Sequence, residues 1–459
     1  MNKAEIFYKD IGDYLSREEK LKIVSENRSI LNPALKMVKV KPNKHGDWVN
    51  KRNSRFDDFI PLEPEQKFVN KTNSFFVTQS LGTATNRDAW VYNFSEKQLK
   101  KNIEKTIAHY NEQLALYISG KITEPVYDST KGNWTRDWLN QIKRKVKFSE
   151  NESEYRLSLY RPFIKQNTYF DDDLNQERYQ LPRLFPEKNI NNFLICVSGI
   201  GSTKPFTVLI TNLIPCLDLV EKSQCFPLYW YEKKDKIQGK LFERVEDEYI
   251  RHDTISDFIL DQAKTRYGPR VTKEDIFYYV YGILHSPEYR KTFANDLKKM
   301  LPRLPLVEKP VDFWAFADAG RKLADLHLNY EDRPPPKEIL INGKLIPRSP
   351  FPPGQLIVNE MKFPTKNQKD TIVYNSYLTI SNIPAKAYEY VVNGKSAIEW
   401  VMERYAVTTH KESGIKNDPN DWAREHDNPQ YILDLLLSVI SVSMKTVDIV
   451  AGLPKVEWE

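Results

Sequence analysis

Within the run from Asn192 to Thr211, NFLICVSGIGSTKPFTVLIT, a Gly199-Ile-Gly201 step follows an apolar segment and precedes Ser202-Thr203-Lys204. Glycines between a strand and a helix can cradle a phosphate, so the first question is whether this is a cofactor loop. A dinucleotide fingerprint needs three glycines, so that the backbone can approach the pyrophosphate and a following helix can pack close to the strand. Here Lys204 stands where the third glycine belongs, Pro205 comes next, and FTVLIT is rich in β-branched residues. A P-loop needs glycine immediately before its lysine, where Thr203 stands. The spacing predicts a strand-loop-strand element instead. Ser202, Thr203 and Lys204 at its tip suit a DNA phosphate or a base edge. The alternative, a nucleotide- or S-adenosylmethionine (SAM)-dependent enzyme using residues 195–204 as its cofactor loop, stays open on the residues alone.

Other chemistry is thinly represented. Methylation of an adenine amino group needs an Asn/Asp-Pro-Pro-aromatic motif, and LNPALK at 31–36 has a single proline. The seven histidines (45, 109, 252, 285, 327, 410, 426) are scattered without metal-binding spacing. Asp171-Asp172-Asp173 and Asp247-Glu248 imitate a catalytic carboxylate pair, but solvation explains them as well. Cys196, Cys216 and Cys225 lack the C-x-x-C spacing of a zinc site and cannot build a disulfide framework. With no apolar run long enough to span a membrane, the chain is expected in the cytoplasm, without a structural metal. The reading is of a binding protein with no catalytic residues.

Charge says what it would bind. The net charge is only +6, but residues 34–55 carry seven Lys/Arg against Asp47, and residues 131–147 carry six against Asp137. Residues 241–261 instead hold seven acids against two arginines. The basic runs are interleaved with Trp48, Trp134, Trp138, Tyr160 and Phe163, which suggests a polyanion surface, most simply nucleic acid. A scaffold subunit whose basic faces meet acidic protein is a further reading. Trp48 itself is expected in the core.

The elements that must position these residues are α+β in class. A strand and then a helix open the chain, with Ser16 and Glu19 as a capping box. Pro42 to Gly46 has turn composition, and residues 74–94 predict two strands joined by the polar loop Leu81 to Asp88. Ser95 with Gln98 caps a helix in which Leu99, Ile103, Ile107, Tyr110, Leu114 and Tyr117 recur at helical spacing up to Gly120. Residues 126–241 look extended. A helical block follows, capped by Thr272, reopened at Pro287 and ended by Pro302 and Pro305. Residues 333–364 are proline-rich and read as a stiff connector or edge turns. Beyond them come a short β piece, a helix at 397–405 capped by Ser396 with Glu399, and an apolar helix at 430–445.

The segments DIGDYLSREEKL, PNKHGDWVNKR, SLGTATNRDAWVYNFS, SLYRPFIKQNTYFD, VSGIGSTKPF, QCFPLYWY and FYYVYGILHSPEYRKTFANDLKKMLPRLP, with the closing AYEYVVNGKSAIEWVMERY and YILDLLLSVISVS, resemble the carboxy-terminal specificity region of type ISP restriction-modification enzymes. The likeness runs over essentially the whole chain. The YRPF and LHSPEYR segments also resemble type IIG enzymes.

The resemblance implies a polypeptide with an amino-terminal nuclease, an ATP-driven double-stranded DNA translocase, an adenine methyltransferase and then this region. SAM, ATP and Mg would serve the domains this chain lacks, and those methyltransferase and helicase-nuclease domains would be its partners. A fragment or split gene product is therefore expected: residues 1–60 as methyltransferase tail, 61–330 as a β-rich target-recognition domain with a helical block, and 331–459 as a smaller α+β subdomain. Phosphate contacts are expected from Lys44, Lys51, Arg52, Lys143, Arg144 and Lys145. Base-edge contacts are expected from Asn86, Arg87, Arg161, Lys165 and Lys204, and a phosphate or base-edge contact from Ser202. The ordinary alternatives are that Arg87 pairs with Asp88, and that Arg161 braces Tyr155 or the acidic loop at 171.

Overall fold

The computed structural model describes residues 4–69, 72–234, 248–347 and 349–458. Residues 235–247 are not described, so the first third of the acidic run at 241–261, Asp247 included, lies outside the described residues.

The glycine-bearing segment folds as strand, loop and strand. Leu194–Val197 pairs antiparallel with Val208–Thr211, inside a four-stranded sheet ordered Ser80–Leu81, Gln224–Pro227, Leu194–Val197, Val208–Thr211. Successive side chains of a strand point to opposite faces, and here both faces are buried. Ile195, Val197, Ile210 and Phe226 join a helical core, whereas Leu194, Cys196, Leu209 and Cys225 join a second core on the other side. The unbroken apolar runs 194–197 and 208–211 are therefore those of strands buried on both faces.

The helical core is centred on two helices. Lys273–Ile283 starts at a Thr272/Asp275 capping box, and its residues from Ile276 to Ile283 are all buried, not only the one face that its spacing predicts. Its partner, Pro310–Leu328, is not evident in the sequence reading; Pro310 opens it. They meet backbone to backbone. A Cβ on Gly282 would lie 2.1 Å from the Phe316 carbonyl oxygen, and one on Gly320 would lie 1.9 Å from that of Tyr278.

A second four-stranded sheet runs Ile214–Pro215, Tyr155–Arg161, Ile164–Tyr169, Tyr92–Asn93, its first pair parallel. The helix Glu96–Ile118 covers it, burying Leu99, Ile103, Ile107, Tyr110 and Leu114 as the spacing predicts. Ser95 accepts from the Gln98 backbone N–H, but the Gln98 side chain turns to Asn102, so the box is half formed. The two strands expected in 74–94 shrink to two residues each, in different sheets, because Asp88–Val91 makes a helical turn between them. Within the stretch expected to be extended, Arg136–Lys143 is helical.

The proline-rich stretch is not a connector. It supplies Leu340–Ile341 and Lys344–Leu345 to a third four-stranded sheet, and Ile339, Ile341, Leu356, Val358 and Met361 are buried in the core shared with residues on both sides of 330/331. At the amino end, the Ser16/Glu19 box caps Arg17–Asn27, a helix with no buried residue. Phe56, four residues before the expected boundary at 60/61, is already fully buried in the helical core. Among the described residues no helix is long and apolar enough to cross a membrane.

Gly320→Ala is expected to lower stability by roughly 1–3 kcal/mol or more through overpacking, read as a lower denaturation midpoint. Gly354→Ala, where an added Cβ meets nothing within 4 Å, serves as the control and should leave it nearly unchanged.

Candidate nucleic-acid interface

The loop after Ser80–Leu81 is set by a glycine. A Cβ on Gly82 would lie 2.4 Å from the Cys216 carbonyl oxygen, so only glycine lets the chain run against residues 215–217. There Thr83 N–H donates to the Pro215 carbonyl at 2.8 Å and Leu217 N–H to that of Thr83 at 2.9 Å. The loop then crosses residue 177, with Ala84 and Glu177 exchanging backbone hydrogen bonds at 2.9 Å. Asn86 sits at the exposed tip in a left-handed conformation (φ +54°), a geometry asparagine tolerates better than most residues.

Arg87 faces the other way. It is 1% exposed and lies over the Trp138 ring, with its carbon centre 4.1 Å from the ring centroid. Its Nε donates to the Asn133 carbonyl at 2.9 Å, and one Nη to the Thr135 hydroxyl at 2.6 Å. Burial presses its pKa down to about 10, with Asp137 opposing the fall, so it stays charged at neutral pH. The expected base-reading role is corrected: with its donors committed inside the protein, Arg87 positions the loop. Nor does it pair with Asp88, which accepts from the hydroxyls of Thr85 and Tyr160.

Arg161 is also held from within. Its guanidinium stacks on Tyr160 at 3.9 Å and donates to the Tyr160 carbonyl at 2.7 Å. Asp88 and Asp218 lie 3.8 and 4.0 Å from it. Burial works against its charge, but Cys216, Tyr160 and the two carboxylates outweigh it and raise its pKa. Together these residues back a cleft of about 500 Å³ whose wall includes Asn86, Asp88, Asn133, Asp218, His410 and Glu412. Asn133 donates to the Asn86 carbonyl at 2.7 Å. Asn133, Asp218, His410 and Glu412 carry no signal in the sequence, because only tertiary packing brings them beside the 83–90 loop.

The remaining candidates scatter. Lys165 pairs with Glu331 at 2.6 Å and lies near the Trp422 ring, so its ammonium is used in joining two parts of the chain. Arg52 chelates Asp47, which also binds Lys299 at 2.7 Å; Arg52 first, then Lys299, hold that carboxyl well below the usual carboxylate range. Lys44 pairs with Asp57 at 2.6 Å while staying largely exposed, and Lys51 is exposed. Lys143, Arg144 and Lys145 are all exposed at the end of Arg136–Lys143. Of the interleaved aromatics, two are core residues and two, Trp134 and Tyr160, are partly buried against the core. Trp138 and Phe163 are each 1% exposed, and Trp134 stacks on Tyr110. Trp48, expected in the core, is instead 54% exposed.

The glycine loop does cradle an anion, and the anion belongs to the protein. One Glu221 carboxylate oxygen accepts from the Thr203 and Lys204 backbone N–H groups at 2.9 and 3.1 Å, and from the Ser202 and Thr203 hydroxyls at 2.8 and 3.0 Å. Burial opposes its charge, but these bonds bring its pKa down to about 2. The reading of 195–204 as a cofactor loop is therefore corrected, since the amides a phosphate would need are occupied. Ser202 is likewise committed, while the exposed Lys204 rests its stem against the turn at Gly394. Among the described residues no group of three or more His, Cys, Asp or Glu is gathered as a metal would require.

A carboxyl with a depressed folded-state pKa stabilises above its unfolded value and loses that contribution as pH falls through the folded one. Protection of the Thr203 and Lys204 amides from hydrogen exchange should therefore hold above about pH 4.5 and fall as pH drops toward the folded value of about 2. In Glu221→Gln the protection should be low at every pH. Protection unchanged across this range would show that the carboxylate does not hold the loop.

A family model described as the Type ISP C-terminal specificity domain matches residues 74–435. The chain is similar to a nuclease-deletion mutant of the Type ISP restriction-modification enzyme LlaGI, solved in complex with a DNA substrate mimic: 37% identity and TM-score 0.85, over 100% of this chain and 40% of that one. It is similar also to the ATP-dependent Type ISP enzyme LlaBIII bound to DNA, with 35% identity and TM-score 0.85 over 99% of this chain and 28% of that one. A DrdV–DNA complex gives 28% identity and TM-score 0.79, over 98% and 43%. No curated protein matches. The chain thus spans less than half the length of these solved relatives. Its likeness to them is continuous from end to end, and the chain belongs to the Type ISP C-terminal specificity domain family.

Proposed function

We propose that this chain recognises a short sequence in duplex DNA and directs the chemistry of a type ISP restriction-modification system. The observation that supports this best is the whole-chain similarity, at TM-score 0.85, to two type ISP enzymes solved with DNA or a DNA mimic. Adenine methylation, ATP-driven translocation and cleavage belong, in this reading, to methyltransferase and helicase-nuclease domains outside the chain, which would hold SAM, ATP and Mg²⁺. None of the chain's own residues is assigned a catalytic step, and its place of action is the cytoplasm.

Affinity and choice would come from different residues. Exposed lysines and arginines such as Lys143, Arg144 and Lys145 would meet phosphates, releasing counterions and making binding salt-dependent without selecting a sequence. Selection would come from amide and carboxylate side chains of the cleft. Asn86 can present a paired donor and acceptor to adenine, and Asp218 or Glu412 can accept from a cytosine amino group. Arg87 and Arg161 would hold the walls in place for that contact.

The test is binding to cognate and random duplexes across a salt series. Lys143→Ala/Arg144→Ala/Lys145→Ala should weaken both equally and flatten the salt dependence by about 0.9 in log–log slope per lost phosphate contact. Asn86→Ala should cost roughly 1–3 kcal/mol on the cognate duplex alone. Arg87→Ala should act through loop order, lowering thermal stability along with cognate binding. Equal affinity of the unaltered chain for cognate and random duplexes would overturn the proposal.

A further inference from the structure

The cleft that holds Asn86 has a second contributor, the hairpin Thr408–Thr409/Lys416–Asn417, whose turn lends it His410 and Glu412. Strands of two residues cannot fix a turn alone. The hold comes from elsewhere in the chain. Asn93 Nδ2 donates to the Lys416 carbonyl at 3.1 Å, Phe94 N–H donates to Asn417 Oδ1 at 2.9 Å, and Ile415 packs against the core that contains Trp90 and Tyr92. Inside the turn, His410 N–H donates to the Ile415 carbonyl and Gly414 N–H to the His410 carbonyl, both at 2.9 Å.

The ring of His410 has its chemistry set by this turn. Its Nδ1 accepts from the Ser413 backbone N–H at 3.2 Å and from the Ser413 hydroxyl at 2.8 Å. A backbone N–H can only donate, so Nδ1 is the acceptor and the neutral imidazole carries its hydrogen on Nε2. The two ring nitrogens face nearly opposite ways. With Nδ1 turned into the hairpin, Nε2–H is directed away from it, and the ring is steadied edge-on by Trp90, 5.1 Å between centroids. The residue is half-buried, yet Nε2 is neither paired nor enclosed among the described residues. His410 thus supplies the cleft with a free donor of fixed direction. Around it the wall carries the carboxylates of Asp88, Asp218 and Glu412, while Arg87 spends its donors inside the protein. Carboxylates repel a phosphate, so the acceptor this donor suits is uncharged. On the major-groove edge, adenine sets an acceptor, N7, beside an amino donor, whereas guanine sets two acceptors side by side. A donor among carboxylates matches the first pattern and opposes the second. We propose that His410 is a specificity-determining residue that donates to N7 of an adenine in the major groove, with the neighbouring carboxylates set against guanine at that position. This assignment rests on the recognition function proposed above. Nothing in the sequence marks His410, because its role depends on Ser413 engaging one nitrogen and on the 83–90 loop arriving from the far end of the chain.

The test pairs changes in the whole chain with single-atom changes in the DNA. Each adenine of the cognate duplex is replaced in turn by 7-deazaadenine, which lacks the N7 acceptor, and binding is measured for the unaltered chain, His410→Asn and His410→Gln. Asparagine keeps an acceptor near the place of Nδ1 but does not reach, whereas the glutamine amide can place a donor near Nε2. At one adenine the deaza base should weaken the unaltered chain roughly three- to tenfold, the scale of one neutral hydrogen bond. His410→Asn should show that loss on the natural duplex and no further loss with the deaza base at that position. Its affinity for random duplex, its salt slope and its thermal midpoint should stay unchanged, and His410→Gln should recover part of the loss. If no adenine separates the unaltered chain from His410→Asn while both still prefer the cognate duplex, the His410 assignment alone is overturned. A His410→Asn loss shared equally by cognate and random duplexes would overturn it too. An unaltered chain with no preference for the cognate duplex would overturn the recognition function, and this assignment with it.

Discussion

A pair of strands buried on both faces constrains everything around it. Each apolar residue of Leu194–Val197 and Val208–Thr211 must find a partner above or below, so two cores are built at once and neither can shift without the other. Burying an aliphatic or aromatic side chain contributes about 1.5–3 kcal/mol, and residues 194–197 and 208–211 are all buried. The helical layer on one face is pressed tight by the Gly282 and Gly320 contact. That layer also buries two histidines. Tyr281 bridges to His327 at 2.5 Å, and burial lowers the pKa of both His285 and His327. They sit in the layer as neutral groups.

Loops can extend from such a frame only if their backbone groups are satisfied, since an unpaired buried N–H or C=O costs free energy on the scale of a lost hydrogen bond. The chain meets this requirement with its own ions. Arg87 answers loop carbonyls, Glu221 answers loop amides, and Arg161 is wedged between an aromatic ring and two carboxylates. A charged residue in a polar loop can thus be a strut as readily as a contact. The groups left outward at the 83–90 loop and its neighbours are mostly amides and carboxylates, suited to discriminating among bases more than to gripping phosphates. In the function proposed here, grip would fall to exposed lysines and arginines set apart from them, such as those at 143–145.

Much of the secondary structure was legible because it is local. The Ser16/Glu19 and Ser396/Glu399 boxes form where their spacing places them, and Thr272 caps its helix as expected. The stripe of Glu96–Ile118 is buried as its period predicts. The strand-loop-strand character of 192–211 follows from Lys204, Pro205 and the β-branched FTVLIT, all of which oppose a helix. Failures came where context overrides local preference. Residues 333–364 have the proline content of a spacer but also enough apolar side chains to be drawn into a core. Asp88–Val91 is too short for periodicity to reveal.

The sequence by itself determined the class, the family likeness, the caps and the separation of basic from acidic stretches, because composition and near-neighbour spacing survive without a fold. Tertiary structure alone decided which charges are free. Burial of Arg87 by Trp138, capture of Lys165 by Glu331 and occupation of the glycine loop by Glu221 depend on partners between 17 and 166 residues away. Electrostatic and hydrogen-bonding partners are fixed by distance in space, and no local pattern encodes which distant carboxylate or ring will arrive.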